Sequence, residues 1–458
     1  MEILKNIQVY SERCPKRLAL QFEGQRYTYG ELQDLIERYA EQLSITPQIK
    51  VVVGFHDQAQ TLIYYLALLQ CEAVPCVMDP KWSETQLQQI RQRYEIEAII
   101  QSDGEVQPTS LPAYSENDEH HRIEGLLHIG FTSGTTGLPK AYYRNEASWL
   151  ASYRENERLL SPEVQAIVAP GPLCHSLSLY ACIYALYSGR TFIGMNHFEP
   201  TKMMQSIAEV KAPAALFLVP TMLRYSLHAD FIADECVDIF TTGDKLPAEI
   251  FEQIKTRFQD ANIIEFFGTS EASFISYNYN QQAPVRSVGQ CFPNVQVKLR
   301  AQDEARIGQL FVRSDMTFSG YVGHPIATQS TWIPIGDYAS LDEAHHLFLH
   351  GRQADRLIIG GRNVYPSEIE AQALTHPDIS EVLVIGESHA QFGQIAVMLY
   401  VGERTLSYRE FRHFMEDRCA RYQIPSKLLR VAEMEYTASG KIARKRMAQA
   451  YEEGRLKR

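Results

Sequence analysis

The 458-residue sequence contains no closely spaced cysteine pair, and this absence limits the kinds of site that it can encode. None of its eight cysteines forms the C-x-x-C pattern that is typical of zinc ribbons and redox sites. A disulfide framework also requires an oxidising compartment. We therefore expect reduced thiols in a cytoplasmic protein, with neither a disulfide framework nor a zinc site. The cysteines are Cys14, Cys71, Cys76, Cys174, Cys182, Cys236, Cys291 and Cys419.

Positive charge is also scarce. The sequence has 44 Lys and Arg against 55 Asp and Glu, a formal net charge of −11, whereas a nucleic-acid-binding protein needs a basic face for the phosphate backbone. Charged residues make up 22% and hydrophobic residues 45%, a balance that excludes general disorder. A chain of this length can bury large cores in two or more domains. The composition indicates a folded multidomain protein with no nucleic-acid partner.

No uninterrupted apolar run is long enough to cross a membrane. The longest, around Leu62 to Met78, is broken by Gln70 and Glu72, which favours a buried helix and a strand over a membrane span. The first residues, MEILKNIQVYSERCPKR, have early charges and no apolar core, so we expect no secretory signal. Internal repeats and low-complexity segments are absent as well. We therefore expect no transmembrane segment.

Short apolar runs alternate with longer amphipathic segments from about Leu126 to Leu299. Runs such as AALFLVP, VDIFTTG and NIIEFFG are typical of α/β layers, in which helices cover a sheet. Near Gly351 the sequence changes to the glycine- and charge-rich segment GRQADRLIIGGRNVYPSEIE. We place a domain boundary there, which divides the chain into residues 1–352 and 353–458.

The segment FTSGTTGLPK combines glycines, hydroxyls and one lysine directly after a predicted buried strand. Glycines let backbone N–H groups converge on an anion, hydroxyls add donors, and lysine adds a positive charge. The segment therefore predicts a polyphosphate site, although Leu138 and Pro139 distinguish it from the usual nucleotide P-loop. The alternative is a solvent-exposed polar hairpin. The candidate residues are Thr132, Ser133, Gly134, Thr135, Thr136, Gly137 and Lys140.

Further polar residues extend this interpretation. Glu271 follows a predicted strand in EFFGTSEAS, and a carboxylate near phosphates needs an intervening cation, so it is a candidate Mg²⁺ ligand or else a surface or capping glutamate. Asp337 has acceptors suited to ribose hydroxyls, or is a turn aspartate. Arg352 and Lys441 add cations, although a lone lysine in a basic tail is usually a solvated charge.

The order and spacing of these stretches resemble the motif series of the adenylate-forming superfamily. That superfamily includes acyl- and aryl-CoA synthetases, peptide-synthetase adenylation domains and luciferases. The resemblance covers nearly the whole chain, from Arg26 to about Met447, and extends to the short long-chain fatty acid–CoA ligases of Gram-positive bacteria. It implies a large N-terminal domain of layered α/β subdomains and a small mobile α+β C-terminal domain. The motifs are FTSGTTGLPK, FFGTSE, GYVGHPIAT, WIPIGDY, GRQADRLIIGGRNVYPSEIE and SGKIARK.

The resemblance also implies a two-step reaction that uses ATP, Mg²⁺ and coenzyme A. A carboxylic acid and ATP form an acyl-adenylate and pyrophosphate, and a thiol then displaces AMP. For ATP, the resemblance implies that Thr132–Gly137 and Lys140 bind the β- and γ-phosphates, that Ser270 contacts the α-phosphate and that Glu271 binds Mg²⁺. It also implies that Phe267, with the neighbouring Gly268, contacts adenine and that Asp337 and Arg352 bind ribose. Lys441 would bridge the carboxylate and the α-phosphate in the first step only, and Gly360 and Gly361 would line the pantetheine tunnel.

The segment GPLCHSLSLY matches the region that controls access of the acyl group in the superfamily. There His175 occupies a position commonly filled by histidine in acyl-CoA ligases. The alternative for His175 is a strand-end histidine with no role. The aspartate that binds the ammonium group in amino-acid-activating relatives is absent, so we do not expect an amino acid. By helical spacing, Tyr180, Tyr184 and Tyr187 are assigned to core packing. Ala354 stands where relatives usually have a polar hinge residue.

The first hypothesis is a CoA ligase for a fatty or other apolar acid. Alternatives are an aryl-acid ligase of the o-succinylbenzoate kind, a stand-alone enzyme that loads a separate carrier protein, and an idle nucleotide-binding regulatory protein. Against the idle protein, the sequence retains Lys140, Glu271, Asp337, Arg352 and Lys441. The roles of Asp244 and Lys245 stay open.

Overall fold

The structure is a computed structural model that describes residues 1–101, 103–108, 119–132, 138–436 and 442–457. Contacts divide the chain into two compact units, one formed by Met1–Val297 with Val312–Ile333 and the other by Lys298–Phe311 with Pro334–Arg458. The boundary predicted between residues 352 and 353 is placed where the family resemblance implies relative motion of two domains. Because contacts do not measure motion, that boundary stays a prediction.

The first unit alternates strands and helices, as the sequence predicts. Its helices are α1 (Glu2–Arg13), α2 (Tyr29–Gln42), α3 (Gln58–Gln70), α4 (Glu84–Arg93), α5 (Glu146–Leu159), α6 (Ser176–Tyr187), α7 (Pro200–Val210), α8 (Pro220–Ser226) and α9 (Ala248–Arg257). Its strands are β1 (Leu18–Phe22), β2 (Gln25–Thr28), β3 (Lys50–Val53), β4 (Val74–Val77), β5 (Ala98–Ile100), β6 (Val106–Pro108), β7 (Leu126–Thr132), β8 (Lys140–Asn145), β9 (Ala166–Val168), β10 (Thr191–Gly194), β11 (Ala214–Leu218), β12 (Cys236–Thr241), β13 (Asn262–Thr269), β14 (Ser273–Tyr279) and β15 (Ser287–Cys291).

Local sequence explains several of these elements. The longest apolar run forms α3 and β4, which confirms the prediction of a buried helix followed by a strand. Nearly every side chain of α3 is buried, as expected for a helix that is apolar all round. Thr28 is the N-cap residue of α2. Its hydroxyl accepts a hydrogen bond from the Glu31 N–H, and the Glu31 carboxylate accepts one from the Thr28 N–H. This capping box fixes the start of the helix.

One sheet of the first unit has the strand order β6-β5-β3-β4-β7-β8. Its inner strands are parallel, and β7 and β8 form an antiparallel hairpin at one edge. Parallel strands require crossover connections, here supplied by α3 and α4. The predicted phosphate loop connects the two strands of the edge hairpin.

A second run of strands in the first unit has the order β15-β14-β13-β12-β11-β9-β10-β1-β2. The strands from β13 to β1 in this order pair in parallel, and β14 returns antiparallel to β13. Apolar side chains from β9, β11, β12 and the covering helices α7 and α9 form a buried core on this sheet. The layered α/β class predicted from the sequence is therefore confirmed for this unit.

The second unit mixes antiparallel strands and short helices. Its strands are β16 (Gln296–Arg300), β17 (Gly308–Arg313), β18 (Ile333–Leu341), β19 (His346–Arg352), β20 (Leu357–Ile359), β21 (Arg362–Val364), β22 (Glu381–His389), β23 (Gly393–Val401) and β24 (Lys427–Arg430). Its helices are α10 (Pro366–Ala373), α11 (Tyr408–Glu416) and α12 (Arg444–Glu452). Strands β16 to β19 are neighbours in chain order, and a separate sheet has the order β21-β20-β23-β22 with β24 beside β23.

The core of the second unit lies on the β20–β24 sheet. The strongly amphipathic α11 buries Phe411 and Met415 against it, together with α10. None of the helices in the described ranges combines the length and the apolarity needed to cross a membrane.

Candidate active site

Glu271 lies in the tight connection between β13 and β14. The Thr269 hydroxyl accepts a hydrogen bond from the Ala272 N–H at 3.1 Å. Gly268 lets the two strands approach closely, because a Cβ there would lie 2.2 Å from the Ser273 carbonyl oxygen. The turn therefore holds Glu271 at the end of β13, where the sequence predicts a Mg²⁺ ligand.

Tyr321 fixes the carboxylate of Glu271. Its hydroxyl donates to Glu271 Oε1 at 2.5 Å, and the Phe318 N–H donates to the Glu271 carbonyl oxygen at 2.7 Å. The backbone of residues 319–322 runs beside β8, where Tyr321 forms an isolated antiparallel bridge with Tyr142. Tyr321 belongs to the motif GYVGHPIAT, but sequence reasoning gave it no role, because nothing in the sequence shows that the motif lies against Glu271.

Lys140 contacts the ring of the same tyrosine. Its Nζ lies 5.2 Å from the Tyr321 ring centroid, a cation–π contact. Thr132 and Lys140 are opposite each other in the β7–β8 pair, so the two ends of the predicted phosphate loop meet across one hairpin. The residues between them, Ser133, Gly134, Thr135, Thr136 and Gly137, lie outside the described part of the chain, and their role stays a prediction.

Arg144 is a buried cation beside this group that sequence reasoning missed. Its guanidinium donates to the carbonyl oxygens of Ser270 and Met316, the latter at 2.9 Å. Burial lowers its pKa to about 10, against the opposing effects of Tyr142 and Glu271, so it stays charged at neutral pH. The only hint in the sequence is an arginine inside the aromatic strand AYYRN. Arg144 ties the turn that carries Glu271 to β8.

Tyr142 is a buried tyrosine of β8, near the same turn and near the start of α6. Burial raises its pKa, whereas Arg144 and the hydroxyls of Ser176 and Ser270 lower it. Gly130, opposite Tyr142 in the β7–β8 pair, makes room for the ring, because a Cβ there would lie 2.4 Å from it. Ser270, a predicted α-phosphate contact, is held through its carbonyl, which accepts from Arg144.

His175 is the N-cap residue of α6 and does not lie at a strand end, and its role in access of the acyl group stays a prediction. Its ring lies near Cys174 and near Asp79, which follows β4, with the three ligand atoms within 4.8 Å of one another. Burial lowers the pKa of His175, and Asp79 partly opposes this effect. Burial also raises the pKa of the Cys174 thiol to about 12. Tyr180 and Tyr184 of α6 are buried, as core packing predicts.

Phe267 is half-buried on β13, opposite Ser276 of β14. Its contact with adenine stays a prediction.

Lys245 forms an ion pair with a buried carboxylate. Its Nζ lies 2.8 Å from Glu265 Oε2 on the same strand as Phe267, and the Leu246 N–H donates to Glu265 Oε1 at 2.8 Å. Lys245 thus neutralises a buried carboxylate, and Asp244 accepts a hydrogen bond from the Lys245 N–H.

In the second unit, Asp337 and Arg352 face each other across the β18–β19 hairpin. Arg352 Nε lies 3.1 Å from Asp337 Oδ1, and the Arg352 side chain is 53% exposed whereas that of Asp337 is 7% exposed. The hairpin register therefore brings together the two residues predicted to bind ribose. That role stays a prediction.

Gly360 and Gly361 form the turn between β20 and β21. Both have positive φ, 57° and 78°, which glycine adopts without strain. A Cβ at Gly361 would meet nothing within 4 Å. The turn alone accounts for both glycines, and their predicted contact with pantetheine stays a prediction.

Arg444 contacts Asp355 in the segment 353–355, where the resemblance to the family implies a hinge. Its guanidinium lies 3.3 Å from Asp355 Oδ2 and 2.8 Å from Glu370 Oε1, and it donates to the Val384 carbonyl at 2.7 Å. Ala354, next to Asp355, is exposed. Lys441 lies outside the described residues, but Arg444 shows that the segment directly after it is tied to the hinge. Sequence reasoning missed Arg444, because a basic tail offers several equivalent cations.

Comparison with known proteins shows the family of the chain. The family model described as AMP-binding enzyme matches residues 7–322, and the model described as AMP-binding enzyme C-terminal domain matches residues 368–441. The chain belongs to the AMP-binding enzyme family. The two matches cover the β7–β8 hairpin, Glu271 and Tyr321 in the first unit and most of the second unit up to Lys441.

Individual relatives of this AMP-binding enzyme extend over its full length. The VraA protein of Staphylococcus haemolyticus, named as a candidate long chain fatty acid-CoA ligase, is 44% identical over 463 residues, 100% of each chain. A 2-succinylbenzoate–CoA ligase of Listeria monocytogenes is 25% identical over 95% of this chain and 97% of that protein. The o-succinylbenzoate CoA synthetase (MenE) of Bacillus subtilis, solved in complex with ATP and magnesium ion, has a TM-score of 0.83 at 21% identity, covering 97% of this chain and 99% of that one.

These findings confirm the predicted family and the predicted fold class of this AMP-binding enzyme. The names of the relatives agree with the predicted acid–thiol ligase activity. The roles predicted for individual side chains stay predictions. The structure brings Thr132, Lys140, Ser270 and Glu271 into one connected group in the first unit, and Asp337 and Arg352 into another in the second.

Proposed function

We propose that the protein activates a long-chain fatty acid with ATP and transfers the acyl group to coenzyme A. The observation that carries this proposal is the full-length, 44% identity to a relative named as a candidate long chain fatty acid-CoA ligase. We propose further that the enzyme acts in the cytoplasm, where ATP and coenzyme A are available.

The group around Tyr321 supports the first step chemically. An anionic carboxylate must approach an anionic phosphate, so positive charge has to gather where negative charge accumulates. Lys140 supplies one cation beside the phosphate loop. The Glu271 carboxylate receives the Tyr321 hydroxyl on Oε1, and oxygen ligands of this kind suit Mg²⁺. When bound, Mg²⁺ supplies charge neutralisation for the phosphates.

We assign the remaining roles residue by residue. Ser270 contacts the α-phosphate, Phe267 packs against adenine, and Asp337 with Arg352 binds ribose. Lys441 joins the attacking carboxylate to the α-phosphate, and His175 lies at the entrance for the acyl group. After the acyl-adenylate has formed, Gly360 and Gly361 allow the thiol arm of coenzyme A to pass close to the backbone.

Pyrophosphate release tests the first step. We expect release with palmitate but not with o-succinylbenzoate or an amino acid, followed by discharge of the adenylate with coenzyme A. Release with o-succinylbenzoate alone would favour the aryl-acid ligase, which the similarity to the Listeria monocytogenes enzyme supports. Discharge only by a phosphopantetheinyl carrier protein would identify a separate carrier as the acceptor. No release with any acid from folded, ATP-binding protein would favour the idle regulatory protein.

Lys441→Ala separates the two steps. Because Lys441 is assigned to adenylation only, the variant should lose pyrophosphate release by about a hundredfold or more. It should still form the thioester from a preformed acyl-adenylate and coenzyme A. Lys445→Ala, in the same basic segment, serves as the control and should keep both activities. Equal loss of both steps in Lys441→Ala would contradict the assigned role.

A further inference from the structure

Three side chains with metal-binding atoms meet in the first unit, although they come from different sheets. Asp79 follows β4 of the six-stranded sheet, whereas Cys174 and His175 lie between β9 and α6. A carboxylate oxygen, the Cys174 Sγ and a His175 ring nitrogen all lie within 4.8 Å of one another. All three residues are half-buried, so a dissolved ion can reach them.

Hydrogen bonds hold the backbone around these residues, while most of the side-chain atoms that could bind a metal ion have no other hydrogen-bond partner in the described part of the chain. The Asp79 carbonyl accepts from the Trp82 N–H at 3.0 Å, and the His175 N–H donates to the Pro172 carbonyl at 3.0 Å. One Asp79 carboxylate oxygen accepts from the Lys81 N–H at 2.9 Å, which leaves the other for a ligand. Within the described ranges, no hydrogen bond joins the Cys174 thiol or the His175 ring to another residue.

A second cluster of the same general kind makes a useful contrast. In the second unit, His376, Asp378 and Glu410 also bring three ligand atoms within 4.8 Å. There Arg404 already pairs with Asp378 at 2.9 Å and with Glu410. A protein cation therefore neutralises that cluster, and a metal ion would have to displace it. The Asp79 carboxylate makes no ion pair in the described part of the chain.

We propose that Asp79, Cys174 and His175 form a binding site for a thiophilic divalent cation, with Zn²⁺ as the expected ion. Thiolate, imidazole and carboxylate are the three ligand types of zinc in proteins. Zinc bonds of about 2.0–2.3 Å require the ligand atoms to draw slightly closer together, which side-chain rotation allows. Binding releases the Cys174 proton to solvent, and three protein ligands leave a fourth position for water.

This site revises an expectation drawn from the sequence. Cysteine spacing predicts no zinc site, because zinc motifs are recognised by ligands that lie close together in the chain. Here Asp79 is far from Cys174 and His175 in sequence, and the strand order brings them together. An ion at this place would connect the two sheets of the first unit and stabilise them against unfolding.

Cobalt is the probe for the test, since Co²⁺ occupies zinc sites and its bonds to thiolate absorb in the near ultraviolet. Full-length protein, freed of metal with a chelator that is then removed, is titrated with Co²⁺ in the absence of ATP and acid. We expect a thiolate–cobalt band that saturates at one ion per chain and disappears when Zn²⁺ is added. Zn²⁺ should also raise the melting temperature by a few degrees.

Variants identify the ligands. Cys174→Ser should lose the band, and Asp79→Asn should keep the band but bind Co²⁺ at least about tenfold more weakly. Cys291→Ser, which changes another half-buried cysteine of the same unit, should behave as the unchanged protein. Melting curves of all variants without metal establish that they fold. A missing band in the unchanged protein, or a full band in folded Cys174→Ser, would overturn the proposal. Because no substrate is present, the outcome is independent of the proposed ligase activity.

Discussion

Glu271 in the first unit and Asp337 in the second are both acidic candidates for nucleotide binding, but they are held in different ways. Glu271 receives hydrogen bonds from Tyr321 and Phe318, which lie far along the chain. Asp337 pairs with Arg352, its opposite residue in a single hairpin. The first arrangement depends on tertiary contacts, and the second on the register of two adjacent strands.

The cations beside these carboxylates differ in the same way. Arg144 in the first unit is 2% exposed and donates to backbone carbonyls, so its removal leaves buried acceptors unpaired. The Arg352 side chain is 53% exposed whereas its partner Asp337 is 7% exposed, so loss of this half-exposed pair should cost less stability than loss of a fully buried cation. Changes at Arg144 should therefore affect mainly stability, whereas changes at Arg352 should affect mainly ligand binding.

The largest expected effect is that of Glu271→Gln. Loss of the carboxylate charge should lower the rate of pyrophosphate release by about a hundredfold to a thousandfold and raise the Mg²⁺ concentration for half-maximal rate. The measurement is a Mg²⁺ titration of the adenylation rate. Glu265→Gln removes a buried carboxylate from β13, the strand before Glu271, and should leave the Mg²⁺ dependence unchanged. A normal Mg²⁺ dependence in Glu271→Gln would remove Glu271 from the metal site.

Arg144→Met should have the next largest effect. Because it strands the carbonyl oxygens of Ser270 and Met316 in the interior, it should lower the free energy of unfolding by about 3 kcal/mol. Urea denaturation provides the measurement. Arg154→Met breaks an exposed ion pair with Asp315 nearby and should cost under about 1 kcal/mol. Equal losses in the two variants would mean that burial of Arg144 does not matter energetically.

Arg352→Gln tests the ion pair with Asp337 in the second unit. The KM for ATP should rise by about tenfold, since one charged hydrogen bond to ribose is lost, whereas the melting temperature should fall only by a few degrees because the Asp337 carboxylate loses a half-exposed partner. Steady-state kinetics and thermal denaturation of the same preparation give both values. Arg362→Gln, an exposed arginine elsewhere in the second unit, is the control. A large drop in melting temperature without a change in KM would reverse the assignment.

Tyr321→Phe should have the smallest effect of the four. It removes the hydrogen bond to Glu271 but keeps the ring that Lys140 contacts, so the Mg²⁺ concentration for half-maximal rate should rise by about fivefold. Tyr321→Leu removes the ring as well and should also raise the KM for ATP. Tyr225→Phe changes an exposed tyrosine and should have no effect. Identical behaviour of the Phe and Leu variants would exclude a separate role for the ring.

Much of the local structure follows from the sequence. The apolar run that leads into FTSGTTGLPK forms β7, the interrupted run from Leu62 forms most of α3 and β4, and NIIEFFG forms most of β13. These predictions succeed because strand and helix patterns are set by residues within a few positions of one another. The position of Gly268 is also local, since the tight β13–β14 turn needs a residue without a Cβ.

The partners of Glu271 were not predictable in this way. Neither Tyr321 nor Arg144 carries a pattern that points to Glu271. Tyr321 donates to the Glu271 carboxylate, and Arg144 donates to the carbonyl of the neighbouring Ser270, only because β8, β13 and the segment before Tyr321 converge. Arg444 near the hinge is a similar case, since several arginines and lysines surround it in the sequence. Ordered motifs indicated which residues matter for nucleotide chemistry, but not which side chains hold them in place.

The sequence by itself determined the α/β class, the strands that precede the candidate residues, and membership of the AMP-binding enzyme family. The tertiary structure alone decided that Tyr321 holds Glu271, that Arg144 is buried, and that Asp79 meets Cys174 and His175. The physical reason is that periodicity and turn chemistry act between near neighbours in the chain. Contacts between distant residues depend on the order in which strands assemble, which no short stretch of sequence encodes.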